Sequence, residues 1–147
     1  MGVWRLDCFD RLLKDQPHER EAINWLETLI RTANGENGGE RRPDFIRASV
    51  EGAPGQNVSQ AMIDAGEELA AVEGNLYPGC ARLLFGLLRP DAALKDNWRA
   101  VVQSATSETN EAAQGAMVRA AAANLLWIRQ NVDRLTRDRR ERRRMAA

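Results

Sequence analysis

The sequence predicts an all-α protein: a single-domain bundle of five or six helices with a long internal loop and a basic C-terminal helical extension. Apolar residues recur at intervals of three and four along most of the chain, the spacing of amphipathic helices, and strand-like alternation does not recur. The chain has 147 residues, of which 44% are hydrophobic, so it can close one modest core. We expect residues 1–135 to form the bundle and residues 136–147 to form an arginine-rich tail.

The first half of the chain is expected to hold three helices. The first covers about residues 3–14, and Asp15 and Pro17 are start signals for the second, because proline in the first turn sacrifices no needed N–H. Asn34-Gly35 should end the second helix, since glycine adopts a left-handed cap without steric cost. The third helix starts near residues 57–59. Its apolar residues have a heptad-like spacing: Met62, Ala65, Leu69, Val72 and Leu76.

A long loop is predicted between the second and third helices. Residues 34–58 contain five glycines and two prolines, and loops of this length in small domains are usually functional or disordered. We therefore expect a flexible segment. Its one short apolar cluster, Phe45 with Ile46, is interpreted as a contact for the body of the protein or for a protein partner.

The second half of the chain is expected to complete the bundle. After a break at Tyr77-Pro78-Gly79, the segment CARLLFGLL is apolar on nearly all sides and predicts a helix at the centre of the bundle. A turn at Arg89-Pro90-Asp91 leads into a fifth helix. The last helix should begin near Thr106–Ser107 and reach Leu135, with seven alanines between positions 112 and 123 that allow close packing.

The residue types of common catalytic and metal sites are scarce. His18 is the only histidine and is expected to lie at the surface, while Cys8 and Cys80 are the only cysteines and are expected to be buried free thiols. Together they are too few for a structural zinc site, and no phosphate-binding glycine motif is present. Asp64 and Glu68, at i,i+4 on the third helix, offer a weaker alternative, a magnesium-dependent enzyme. We expect no catalytic residue, no cofactor and no metal.

Charge is balanced overall but distributed unevenly. There are 21 basic and 21 acidic residues, yet the last seventeen positions hold seven arginines against three acids, a net charge of +4. The first 130 residues therefore carry −4. An acidic body with a basic tail is typical of a protein that binds a charged partner. The tail would bind either the phosphates of nucleic acid or an acidic protein surface. The candidate nucleic-acid-binding residues are Arg134, Arg137, Arg139, Arg140, Arg142, Arg143 and Arg144.

The four tryptophans, Trp4, Trp25, Trp98 and Trp127, are expected to be core anchors. Trp127 lies off the main apolar stripe of the last helix, and this makes it the best tryptophan for a protein interface.

These observations favour a non-enzymatic interaction protein in the cytoplasm: a small subunit or adaptor of a larger assembly that contains nucleic acid. A protein partner is expected, nucleic acid would bind through the arginine tail, and self-association is compatible with the apolar seams. Two alternatives remain open. One is an inhibitor or regulator that binds a single protein, and the other is a helix-turn-helix regulator that uses Lys95, Asn97 and Arg99 to contact DNA. No secretory signal or membrane span is expected.

Overall fold

The structure is a computed structural model that describes residues 8–35, 59–89 and 97–146. All regular secondary structure in these ranges is helical, which confirms the predicted all-α class. The helices are α1 (Cys8–Leu12), α2 (Pro17–Ala33), α3 (Gln60–Asn75), α4 (Pro78–Leu87), α5 (Asn97–Thr106), α6 (Glu111–Gln130) and α7 (Val132–Ala146).

The described ranges hold seven helices, more than the five or six predicted, because the last predicted helix is divided at Asn131. The backbone N–H of Asn131 donates to the carbonyls of Ile128 and Arg129 and ends α6. Its side-chain amide donates to the Trp127 carbonyl at 2.8 Å, and its own carbonyl accepts from Leu135 N–H at 3.0 Å. One asparagine therefore terminates α6 and starts α7.

The ends of α2 and α3 lie close to their predicted positions. Pro17 occupies the first turn of α2, although the residue before the helix is Gln16 and not Asp15. Asn34 ends α2, and Gly35 follows with a φ of 85°, the left-handed conformation that glycine tolerates. Ser59 caps α3, since its hydroxyl oxygen accepts from Met62 N–H at 3.2 Å.

The start of α6 lies several residues after the predicted position. Ser107 has a φ of 69° and turns the chain after α5. Asn110 then caps α6, its Oδ1 accepting from Ala113 N–H at 2.9 Å. The Glu108 carboxylate accepts from the backbone N–H groups of Thr109 and Asn110, which satisfies two donors before the helix begins.

The helix at the centre of the structure is α6, not α4 as predicted. Every other described helix contacts α6, whereas α4 packs mainly on α5 and α6 and buries Leu83, Leu84 and Leu87 on one side. Ala121 and Ala122 of α6 are fully buried. Alanine lets neighbouring helices approach closely, so the alanine-rich composition of α6 was a better indicator of its central position than the strong hydrophobicity of α4.

The predictions for tryptophan and cysteine are confirmed in part. Trp98 is fully buried as a core anchor and Trp25 is half-buried, but Trp127 is 47% exposed. Trp4 lies outside the described residues. Both cysteines are free thiols; Cys8 is buried, whereas Cys80 is half-buried, and this burial raises the pKa of its thiol. None of the described helices is long and apolar enough to cross a membrane.

Candidate functional site

A carboxylate on α3 holds the arginine-rich helix α7 against the rest of the protein. Glu67 Oε1 accepts hydrogen bonds from both Nε, at 2.7 Å, and Nη2 of Arg140, while Oε2 accepts from Arg143 Nη2 at 3.2 Å. The hydrogen bonds from Arg140, supported by Arg143, hold the pKa of Glu67 below the usual carboxyl value. Glu67 is therefore ionised at neutral pH and fixes the positions of two guanidinium groups.

The helix α7 runs without a break through the boundary predicted between residues 135 and 136. The sequence predicted this basic helical extension but offered no apolar face to hold it beyond Leu135. The structure instead buries Thr136, whose hydroxyl donates to the Val132 carbonyl at 2.7 Å, and adds the two contacts to Glu67. A buried threonine and long-range ion pairs replace the missing apolar face.

Between α3 and α7 lies a groove, called here the α3–α7 groove, with a volume of about 300 Å³. Its charged residues are Glu67 and three arginines, so its lining carries a net charge of +2. Arg139 is half-buried in this groove and has no ion-pair partner within the described part of the chain. The residues that line the groove are Ile63, Gly66, Glu67, Ala70, Thr136, Arg139, Arg140 and Arg143.

The other side of α7 is closer to electrical neutrality. Arg137, Arg142 and Arg144 are exposed and form no ion pair in the ranges that the structure describes. Two exposed acids, Asp138 and Glu141, lie on the same side of the helix. The seven tail arginines that the sequence grouped together therefore occupy different electrostatic environments, and the concentrated positive charge lies in the groove.

A second surface feature brings together two residues to which the sequence assigned different roles. The guanidinium of Arg134, a predicted phosphate contact, lies 5.9 Å from the ring centroid of Trp127, the predicted interface residue. Tyr77 is 70% exposed, and its backbone N–H donates to Asn124 Oδ1, one turn before Trp127 on α6. We call Tyr77, Trp127 and Arg134 the aromatic surface.

A further cavity of about 340 Å³ lies between α2 and α3, with Trp25, Asp64 and Glu68 in its wall. Burial, together with the nearby Asp133 and Asp64 carboxylates, raises the pKa of Glu68. Among the described residues, no group of three or more histidine, cysteine or acidic side chains is placed to hold a metal ion. Asp64 and Glu68 lie on one face of α3, as their i,i+4 spacing predicted, and that face lines this cavity.

Arg99, one of the three side chains that the helix-turn-helix alternative would use to contact DNA, makes hydrogen bonds within the protein. Arg99 Nε donates to Gln114 Oε1 at 2.9 Å, and Arg99 Nη2 donates to the Thr109 carbonyl at 3.0 Å. The buried Gln114 in turn donates to the carbonyls of Arg99 and Glu108. Lys95 lies outside the described residues. Arg99 thus ties α5 to the start of α6, although its side chain is 39% exposed.

Sequence reasoning proposed the arginines and Trp127 as site residues and did not propose Glu67, Tyr77 or Gln114. Glu67 lies 73 residues before its partner Arg140, so no local spacing indicates the pair. Phe45 and Ile46, the other predicted interface residues, lie outside the described residues. Comparisons with models of protein families, with curated proteins and with solved structures found no match to this chain.

Proposed function

We propose that this chain is a non-enzymatic helical interaction protein, a small subunit or adaptor of a larger assembly, and that α7 contacts the phosphates of nucleic acid in that assembly. On this proposal the helices form one bundle domain in a cytoplasmic protein. The observation that carries the proposal is the ordered position of α7. A helix fixed to α3 by Glu67 presents arginines at set spacings, whereas a frayed tail would have to be ordered on binding.

The charge of α7 supports contact with phosphate. Five of its arginines have no ion-pair partner within the described ranges, and one of these, Arg134, lies over the Trp127 ring. The guanidinium groups of the other four can bind phosphate oxygens through paired N–H donors. Such contacts release counterions and carry no sequence information. The four residues are Arg137, Arg139, Arg142 and Arg144.

The test is a salt titration with the full chain. Four phosphate contacts on duplex DNA give a slope of about −3.6 in log K against log salt, so affinity should fall about a hundredfold between about 50 and 200 mM salt. Fluorescence anisotropy with two labelled duplexes of unrelated sequence measures both the slope and the lack of sequence preference. Replacing Arg137, Arg142 and Arg144 by glutamine should flatten the slope. Binding that does not respond to salt would contradict phosphate contact.

The aromatic surface favours a second candidate, a regulator that binds one protein partner and no nucleic acid. Tryptophan, tyrosine and arginine are the residue types most enriched where binding energy concentrates in protein interfaces. Trp127→Ala should then abolish a complex of defined stoichiometry, while the glutamine substitutions on α7 leave it intact. The opposite pattern favours the nucleic-acid adaptor.

A further inference from the structure

We propose that the α3–α7 groove is a binding site for a terminal phosphate, that is, a phosphate monoester at the end of a nucleic-acid strand. This inference rests on the proposed function, since it names the part of the nucleic acid that the groove would take. It separates the arginines of α7 into three that bind the strand end and others that follow the adjoining backbone.

Donor capacity in the groove is the first support. A guanidinium has five N–H donors, and Glu67 uses two from Arg140 and one from Arg143. The donors of Arg139 have no partner within the described residues. Glu67 therefore orients Arg140 and Arg143 and leaves most of their donors for a ligand. Such preorganisation lowers the entropy cost of binding.

Charge and oxygen count favour a monoester over a backbone diester. The groove lining has a net charge of +2, from three arginines and Glu67. A monoester carries a charge of about −1.5 to −2 near pH 7 and offers three terminal oxygens. A backbone diester carries a single negative charge and offers two such oxygens. Three guanidiniums, whose charge Glu67 reduces to a net +2, match the monoester in both respects.

The surroundings of the groove favour nucleic acid over a phosphorylated peptide. Arg142 and Arg144 flank the groove residue Arg143 near the end of α7, on the exposed side of the helix, and have no ion pair among the described residues. A strand whose end lies in the groove and that continues around α7 would bring its next phosphates to these two arginines. A phosphopeptide of neutral composition would leave them without a ligand.

The experiment compares labelled oligonucleotides that are identical except for their ends: 5′-phosphate, 3′-phosphate, or hydroxyl at both ends. The full chain should bind one phosphorylated form about tenfold or more tighter than the hydroxyl form, the gain expected of charge-assisted hydrogen bonds. Arg139→Gln should remove this preference. Arg137→Gln, the same charge change on the exposed side of the same helix, should keep it. Inorganic phosphate should compete for the groove, which removes the preference for the phosphorylated oligonucleotide and leaves binding of the hydroxyl form largely intact.

The outcomes separate this inference from the proposed function. Equal, salt-dependent affinity for all three oligonucleotides overturns the terminal-phosphate site and leaves phosphate contact by α7 standing. Binding of none of them overturns both. A neutral phosphoserine peptide that binds tighter than the oligonucleotides, with loss on Arg139→Gln, overturns the assignment to nucleic acid. Equal loss of the preference in Arg137→Gln and Arg139→Gln shows that bulk charge and not the groove is responsible.

Discussion

The central position of α6 is tested by enlarging one of its buried alanines. Ala121 is fully buried in the core, whereas its neighbour Ala120 is exposed on the same helix. Replacement by leucine puts an isobutyl group where a methyl group fits. Overpacking of this kind costs about 1–3 kcal/mol, because side chains must leave their rotamers or helices must separate. The same change at Ala120 should stay within about 0.5 kcal/mol.

The assay is urea unfolding, followed by far-ultraviolet circular dichroism and tryptophan fluorescence. In thermal unfolding of a chain of this size, the same loss of about 1–3 kcal/mol corresponds to a fall of about 3–10 °C in Tm. Because leucine and alanine both favour helix, the intrinsic propensity of the two sites changes little, and the difference between the variants reports packing. Equal stability of Ala121→Leu and Ala120→Leu would refute the placement of α6 at the centre.

Further predictions concern buried polar groups and carboxylates. Gln114→Leu should lose about 1–3 kcal/mol in urea unfolding, because the Arg99 and Glu108 carbonyls and the Arg99 guanidinium lose a buried partner; wild-type stability would contradict this. Glu67→Gln should destabilise the protein near neutral pH. Because the folded-state pKa of Glu67 is lowered, its contribution exists above the unfolded-state pKa and disappears as pH falls through the folded-state value. Glu68→Gln should instead stabilise the protein near neutral pH, since the raised pKa of Glu68 means that its ionised form opposes folding. This gain in stability should vanish once acid protonates wild-type Glu68. Thermal unfolding across pH checks both, and a shared sign for the two variants would disprove the assignment.

Local patterns predicted the helices well because helix ends depend on neighbouring residues. Ser59 and Gly35 act within one turn of the chain, so their roles are visible in the sequence. The division at Asn131 was missed, since apolar spacing continues across it and only the capping of α6 distinguishes it from an interior helical position.

Long-range contacts were beyond the reach of the sequence. The sequence shows how many arginines the tail holds but not which carboxylate orders two of them, because Glu67 belongs to a distant helix. The helix-turn-helix alternative likewise offered Arg99 as a DNA contact, and the structure shows that Arg99 donates to Gln114 and to the Thr109 carbonyl. The sequence around a charged side chain does not show whether its partner belongs to the same protein or to another molecule.

The proposed function depends most on what Arg137, Arg139, Arg142 and Arg144 of α7 bind. The most direct measurement is the light-scattering mass of protein purified under mild conditions, with absorbance at about 260 and 280 nm. The comparison is with a variant in which Arg137, Arg139, Arg142 and Arg144 are glutamine, which keeps Thr136 and both contacts to Glu67. We expect the wild-type protein to have a mass well above the 16.4 kDa of one chain and to carry nucleic acid, and the variant to lose that nucleic acid. A nucleic-acid-free wild-type particle whose mass is unchanged in the variant would contradict nucleic-acid binding by α7.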